Sequence, residues 1–380
     1  MNLLQTLRQH GQSVWLDGLE RNLILTGQLE RSIDNGLRGV ISNFTSLERA
    51  IRERSYDCDL RATVRQPNIN AQWIYEYLTV QDMQLTADLM KAVHNRTHAG
   101  DGFVNLDLPP QVALEPQATL TEARRLWQTV GWSNLMLKVP ATSATVSVIE
   151  QLIHQGININ VTSLFSQAVY EQVAEGYLRG LEVLAKQGKE VSTVASVASF
   201  SVSRLDEAIT ALITTHLEAE QERGLPESFR GNAAICATRQ RFAIAQAKVM
   251  YHRYQTIYQS DRWQALARLG AQPQRLLWDI TNITNARSHA QYYIESLVGA
   301  GTVLALSPLI LEEQEQYNPR YASITVGVDA AHQTLENLER IISLEMIAGR
   351  LLSEELQRSQ AAYQQLLRTI AQKRQSKQSF

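Results

Sequence analysis

The sequence predicts an α/β fold, a (β/α)8 TIM barrel with additional C-terminal helices, on three observations. Short runs rich in Val, Ile and Leu alternate with longer segments of helical period, the pattern of repeated βα units around a parallel sheet. Eight such runs can be counted, and eight strands suit a closed barrel in which every edge is paired. The 380 residues give room for one large barrel or two ordinary domains. No linker, short-period repeat or composition break marks a second domain, so residues 1–380 are expected to form a single one.

Taken in order, the expected strands are 14–16 (VWL), 39–42 (GVIS), 103–106 (FVNL), 135–139 (LMLKV), 157–161 (ININV), 194–198 (VASVA), 276–279 (LLWD) and 302–306 (TVLAL). Between them, 119–130, 163–186 and 233–269 are amphipathic and long enough to cross back over a strand, which makes them outer helices. Residues 329–373 keep Leu335, Leu338, Ile342, Met346, Leu351, Leu356 and Leu366 at roughly helical spacing. This C-terminal helical extension is expected to cap or pack along the barrel, and the polar tail 374–380 to fray.

Composition removes several classes of partner. Lys and Arg total 36 against 38 Asp and Glu, so no net positive field draws a phosphate backbone or an anionic membrane, and nucleic acid is not expected. The opening MNLLQTLRQHGQSVWLDG lacks the apolar core of a signal peptide, and nowhere do about 18 apolar residues run together, so a cytoplasmic protein is expected. Cys58 and Cys236 lie far apart without metal-ligand spacing and read as buried small apolar residues. His94 and His98 sit four apart in an expected helix, but no third ligand follows, and they read as a solvent-exposed pair.

In a barrel of this kind the working residues belong at the C-terminal ends of the strands and on the loops that follow. The polar residues there are Asp17, Asn43, Asp107, Lys138, Asn160, Thr162, Ser199 and Arg204. Lys138 is the most telling, because NLMLKVP sets an ammonium inside an apolar strand. From spacing alone two readings stand level: a core ion pair with Asp17 or Asp107, or a lysine of lowered pKa that attacks carbonyls, its iminium serving as an electron sink.

Six segments, in order, resemble the transaldolases over nearly the whole chain through about residue 306: QSVWLDGL, GLRGVISN, NLMLKVPAT, GININVTSLFS, VASVASFSVSRLD and RWQALARLGAQPQRLLW. The resemblance implies Lys138 as the Schiff-base nucleophile and Asp17 as acid/base. Asn43, Asn160 and Ser199 would hold substrate hydroxyls, and Arg204 would bind a phosphate. Thr162 and the third-strand carboxylate Asp107 would fix a proton-shuttling water. It further implies transfer of a dihydroxyacetone unit between ketose and aldose phosphates of the pentose phosphate pathway, with no cofactor and no metal, by a protein of a family whose members are commonly homodimers.

The chain departs from the family pattern at several points. Asp107 stands for a Glu, Phe44 for the Pro after the asparagine, Ile41 for a Thr, and Ser201 for the usual Phe. Thr284 occupies the position of a phosphate-binding Lys or Arg, a contact worth about 1.5–3 kcal/mol. Arg275 and Arg287 are the nearby cations that could replace it. These departures keep two alternatives in play: a Schiff-base enzyme of altered substrate, and a non-catalytic barrel that binds a sugar phosphate.

Overall fold

A computed structural model describes residues 2–64, 69–222, 242–281, 283, 287–313, 317, 319 and 322–378. Its sheet is a closed parallel barrel in chain order: β1 (Ser13–Asp17), β2 (Gly39–Ile41), β3 (Phe103–Asp107), β4 (Leu135–Pro140), β5 (Ile159–Leu164), β6 (Ser196–Ser201), β7 (Arg275–Asp279) and β8 (Val303–Leu306). All eight expected strands are present. β5 and β6 begin later than their apolar runs because the amides of Ile157 and Val194 close turns onto the Leu152 and Val191 carbonyls. Asn158 donates to the carbonyls of Ser133 and Leu135 and accepts from the Ala195 amide.

A strand repeats every two residues, so its neighbours face opposite sides. Val14, Leu16, Leu135, Leu137, Val139, Ala198, Leu276, Trp278, Leu304 and Leu306 join the core between barrel and helices. Trp15, Ile41, Phe103, Met136, Val197, Leu277, Val303 and Ala305 fill the barrel interior. The inward residue two positions further along each strand is then Asp17, Asn43, Asn105, Lys138, Ser199, Asp279 and Ser307, a polar layer above an apolar one.

The interior is tightly filled at Gly39, where an added Cβ would lie 2.6 Å from two atoms of the Trp15 indole. Gly39→Ala is therefore expected to lose about 1–3 kcal/mol of stability through overpacking, read as a lowered denaturation midpoint with an unchanged slope. The N-terminal end of the barrel is closed by Arg275. Its guanidinium donates to the Gly100 carbonyl (2.8 Å), Asp101 (2.9 Å), Ser13 Oγ (2.7 Å) and the Thr302 carbonyl (2.7 Å).

The expected helices are found with altered limits. Pro116–Val130 starts at a proline suited to a first turn, and Gln167–Lys186 begins after a longer β5. The segment expected at 233–269 is described from residue 242 onward. It breaks at Ser260, whose side chain caps the Trp263 amide, to give Phe242–Gln259 and Asp261–Ala267. The C-terminal extension is two helices, Val328–Glu339 and Leu344–Gln378.

The fraying expected of the tail is not seen through Gln378. Lys373 donates to the Arg52 carbonyl (2.9 Å) and Arg374 to that of Ile69 (2.6 Å), so local backbone acceptors hold the polar end. Tyr363, Leu366 and Ile370 pack with Phe44, Leu47, Ile51, Tyr56, Leu60, Ile74 and Leu78 in a second core. That core lays the long helix across the C-terminal mouth of the barrel.

Other expectations are corrected. Cys58 is exposed, because it lies on the outer side of the short helix Asp57–Val64; Cys236 lies outside the described residues. His94 and His98 do not share a helix face: His98 follows the helix end at Arg96, and the His94 ring packs edge-on against Phe103 at 5.2 Å. Among the described residues no helix is long and apolar enough to cross a membrane.

Candidate active site

The polar layer opens into a cavity of about 760 Å3 at the C-terminal ends of the strands. Asp17, Asn43, Asp107, Lys138, Asn160, Thr162, Ser199 and Arg204, the eight residues singled out in the sequence, all line it. Strand register sets the neighbours directly: Asp107 lies beside Lys138, and Lys138 beside Asn160.

Lys138 donates to the Ser42 carbonyl (3.1 Å) and pairs with Asp107, its Nζ 2.8 Å from Oδ1 and 3.0 Å from Oδ2. Both side chains are largely covered, 15% and 19% exposed. Burial by itself would lower the lysine's pKa, but the carboxylates of Asp107, Asp17 and Asp279 outweigh it and hold the ammonium above the usual lysine range. Of the two readings that spacing leaves level, the resting protein holds the ion pair. Three carboxylates face one ammonium. Asp107 is pushed up by burial against the pull of Lys138, and Asp17 is pushed up to about 7, by burial first and then by Asp279 and Asp107.

Asn43 is held at both ends of its amide. Its Oδ1 caps the helix Phe44–Arg52 by accepting from the Ser46 amide (2.8 Å), which leaves Nδ2 to donate to Asp17 Oδ1 (2.8 Å). The next residue, Phe44, lines the cavity and packs into the second core, 5.2 Å from the Tyr363 ring. A bulky residue is accommodated at this turn because the C-terminal helix receives it.

Asn160 is fixed in the same way, donating to Asn105 Oδ1 (3.0 Å) and accepting from Ser199 Oγ (2.6 Å). Thr162 and Ser163 both reach the cavity wall because β5 is irregular there. The register shifts between Val161 and Leu164, and Ser163 takes a left-handed φ of 60°, a strain that an ordinary strand residue does not carry.

Several lining residues were missed in the sequence. Asp279 ends β7, accepting from Ser201 Oγ (2.9 Å) and from Thr281 through its amide (2.9 Å) and hydroxyl (2.6 Å). The aspartate stands within LLWDITNITN, and a strict count of two from Leu277 would have found it. Glu355 and Arg358 come from the helix Leu344–Gln378; no local pattern points to them. Arg204 meets Glu355 at 2.8 Å. Thr284 lies outside the described residues. Arg275 cannot replace a cation at the mouth, because its charge is spent on Asp101 at the opposite end of the barrel. Arg287 begins the helix Arg287–Ser296.

A profile of the transaldolase/fructose-6-phosphate aldolase family matches residues 14–370. The chain is 35% identical over 377 residues to "Transaldolase 2" of Nostoc punctiforme, covering 98% of this chain and 97% of the relative. It is 33% identical over 377 residues to a "Transaldolase" of Trichodesmium erythraeum, with 98% and 97% covered. Against a "Transaldolase" of Thiobacillus denitrificans it is 33% identical over 372 residues, with 97% and 100% covered. A closed eight-stranded barrel with a carboxylate-paired lysine on its fourth strand, matched from end to end in this way, belongs to the transaldolase/fructose-6-phosphate aldolase family.

Proposed function

We propose that the protein is a transaldolase that moves a dihydroxyacetone unit between ketose and aldose phosphates through a Schiff base on Lys138. The observation that carries this reading is the largely buried amine of Lys138, set 2.8 Å from Asp107 in a cavity that Asp17 also lines. The resting lysine is charged and cannot attack a carbonyl. Asp107, 2.8 Å from the amine, is the base that takes the ammonium proton as the ketose enters. The neutral amine adds to the ketone carbon, and loss of water leaves a protonated imine.

Asp17 then removes the proton from the C4 hydroxyl. The electron pair of that O–H bond becomes the new carbonyl, the C3–C4 bond breaks into the iminium, and an aldose phosphate departs. The three-carbon enamine adds to the acceptor aldehyde with Asp17 returning the proton, and water releases the new ketose. Asn43, Asn160 and Ser199 hold hydroxyls, Thr162 and Asp107 position the water, and Arg204 meets the phosphate. As proposed, the reaction uses no metal or organic cofactor, and it is carried out in the cytoplasm.

A second reading, a Schiff-base enzyme acting on a less anionic ketose, is favoured by Asp279, which adds a third carboxylate to the cavity. Borohydride reduction in the presence of fructose 6-phosphate is expected to leave a three-carbon adduct on Lys138, found by peptide mass spectrometry. Added erythrose 4-phosphate is expected to discharge that adduct before reduction. An adduct that persists with this acceptor selects the second reading, and no adduct with any ketose overturns both in favour of a non-catalytic barrel.

A further inference from the structure

Arg204 does not stand open to a phosphate. Its guanidinium is 15% exposed and lies 2.8 Å from Glu355 Oε2, on the helix that crosses the mouth. The contact is one-sided: that oxygen is buried yet receives no well-aligned hydrogen bond, so it falls short of the forked pairing that makes an arginine–carboxylate contact strong. One turn further along the same helix Arg358 lines the same cavity. It is exposed, and among the described residues no hydrogen bond or ion pair engages it. The other arginine on the wall, Arg49, is committed to Glu20 (3.1 Å), and the neighbouring Glu354 to Arg350 (2.7 Å).

We propose that Glu355 occupies the anion position at Arg204 in the empty protein, that a substrate phosphate displaces it, and that Arg358 supplies the second cationic contact. The proposal rests on the transaldolase reading only in naming a sugar phosphate as the arriving anion. Displacement is mechanically simple. The helix is anchored beyond the mouth by Tyr363, Leu366 and Ile370, and Leu351 on the preceding turns joins the barrel core, so the backbone stays while one side chain rotates. Glu355 is already 28% exposed, and its carboxylate reaches water by a rotamer change. A phosphate carries more charge than a carboxylate and offers three acceptor oxygens. It can therefore engage Arg204 and Arg358 together, whereas Glu355 has only the one-sided contact. Substrate affinity is thus set by a competition between two anions for Arg204, and Glu355 and Arg358 are specificity-determining residues.

The test is the binding of inorganic phosphate by titration calorimetry, which does not depend on imine formation. Glu355→Gln is expected to bind phosphate about tenfold more tightly and Arg358→Gln about tenfold more weakly, the scale of one charge-assisted bond. In donor assays the Glu355→Gln change is expected to lower KM for fructose 6-phosphate and leave KM for unphosphorylated fructose unaltered. A helix merely loosened by substitution would shift both, and that result overturns the proposal. So does unchanged or weaker phosphate binding by Glu355→Gln, or unchanged binding by Arg358→Gln. Failure of the transaldolase reading is seen separately, as absence of a wild-type adduct on Lys138 while the phosphate affinities still move.

Discussion

Lys138→Met is expected to abolish the borohydride-trapped adduct and to lower transaldolase turnover by about 10^4-fold or more, because no other amine lines the cavity among the described residues. The substitution also removes the ammonium that three carboxylates share. Asp107, already pushed up by burial, loses the cation 2.8 Å away and rises further. Its charged form is then penalised in the folded state and not in the unfolded one, so the stability deficit of the variant is expected to grow as pH rises. Thermal unfolding between pH 5 and 9 measures this, and adding Asp107→Asn is expected to reduce the pH dependence to the part that Asp17 contributes while leaving activity absent. Retention of turnover by Lys138→Met would remove the chemistry proposed here altogether.

Asp17→Asn is expected to separate the two halves of the reaction. Imine formation uses Lys138 and Asp107, so reduction should still trap sugar on Lys138. Cleavage needs a base at the C4 hydroxyl, so the trapped species should be the intact ketose in place of the three-carbon fragment, with turnover reduced by about 10^2- to 10^4-fold. In the wild type the base is effective only when ionised. With its carboxyl pushed up to about 7, kcat/KM is expected to rise tenfold per pH unit below 7 and level above it.

The same shift has an opposite effect on stability. Between the ordinary value of 3.8 and about 7, the unfolded chain has lost the Asp17 proton while the folded chain retains it, so this group's contribution falls across that range and is gone above it. Asp17→Asn cannot ionise, and it is expected to unfold at a temperature equal to or above that of the wild type at pH 8. A melting temperature clearly below wild type there would mean that the carboxylate is a structural partner of Asn43 first and a base second.

The strands were legible because apolar residues mark both faces of a buried parallel strand, and the period of two then dictates which side chains point inward. Asp17, Lys138 and Ser199 follow from that rule, and so does Asp279, which needed only the same count applied to β7. Strand limits were less legible: the apolar run at 157–161 begins before the ladder because the Ile157 amide closes the preceding turn onto the Leu152 carbonyl. Glu355 and Arg358 could not be read at all. They come to the cavity through Phe44 and Tyr363, a contact spanning most of the chain, and sequence spacing carries no trace of it. The resting charge of Lys138 was left open for a related reason, since it depends on how many carboxylates the closed barrel gathers around one amine.

The Arg275 plug separates what this barrel must keep from what it can vary. Four bonds from one guanidinium tie Ser13, Gly100, Asp101 and Thr302 at the end opposite the cavity. Changes at the rim, such as the serine at 201 that now meets Asp279, leave that clasp untouched. A lineage carrying it can therefore drift in preference at one pole while the other keeps the staves together, and laboratory selection for new acceptors should find its tolerated substitutions concentrated on the rim.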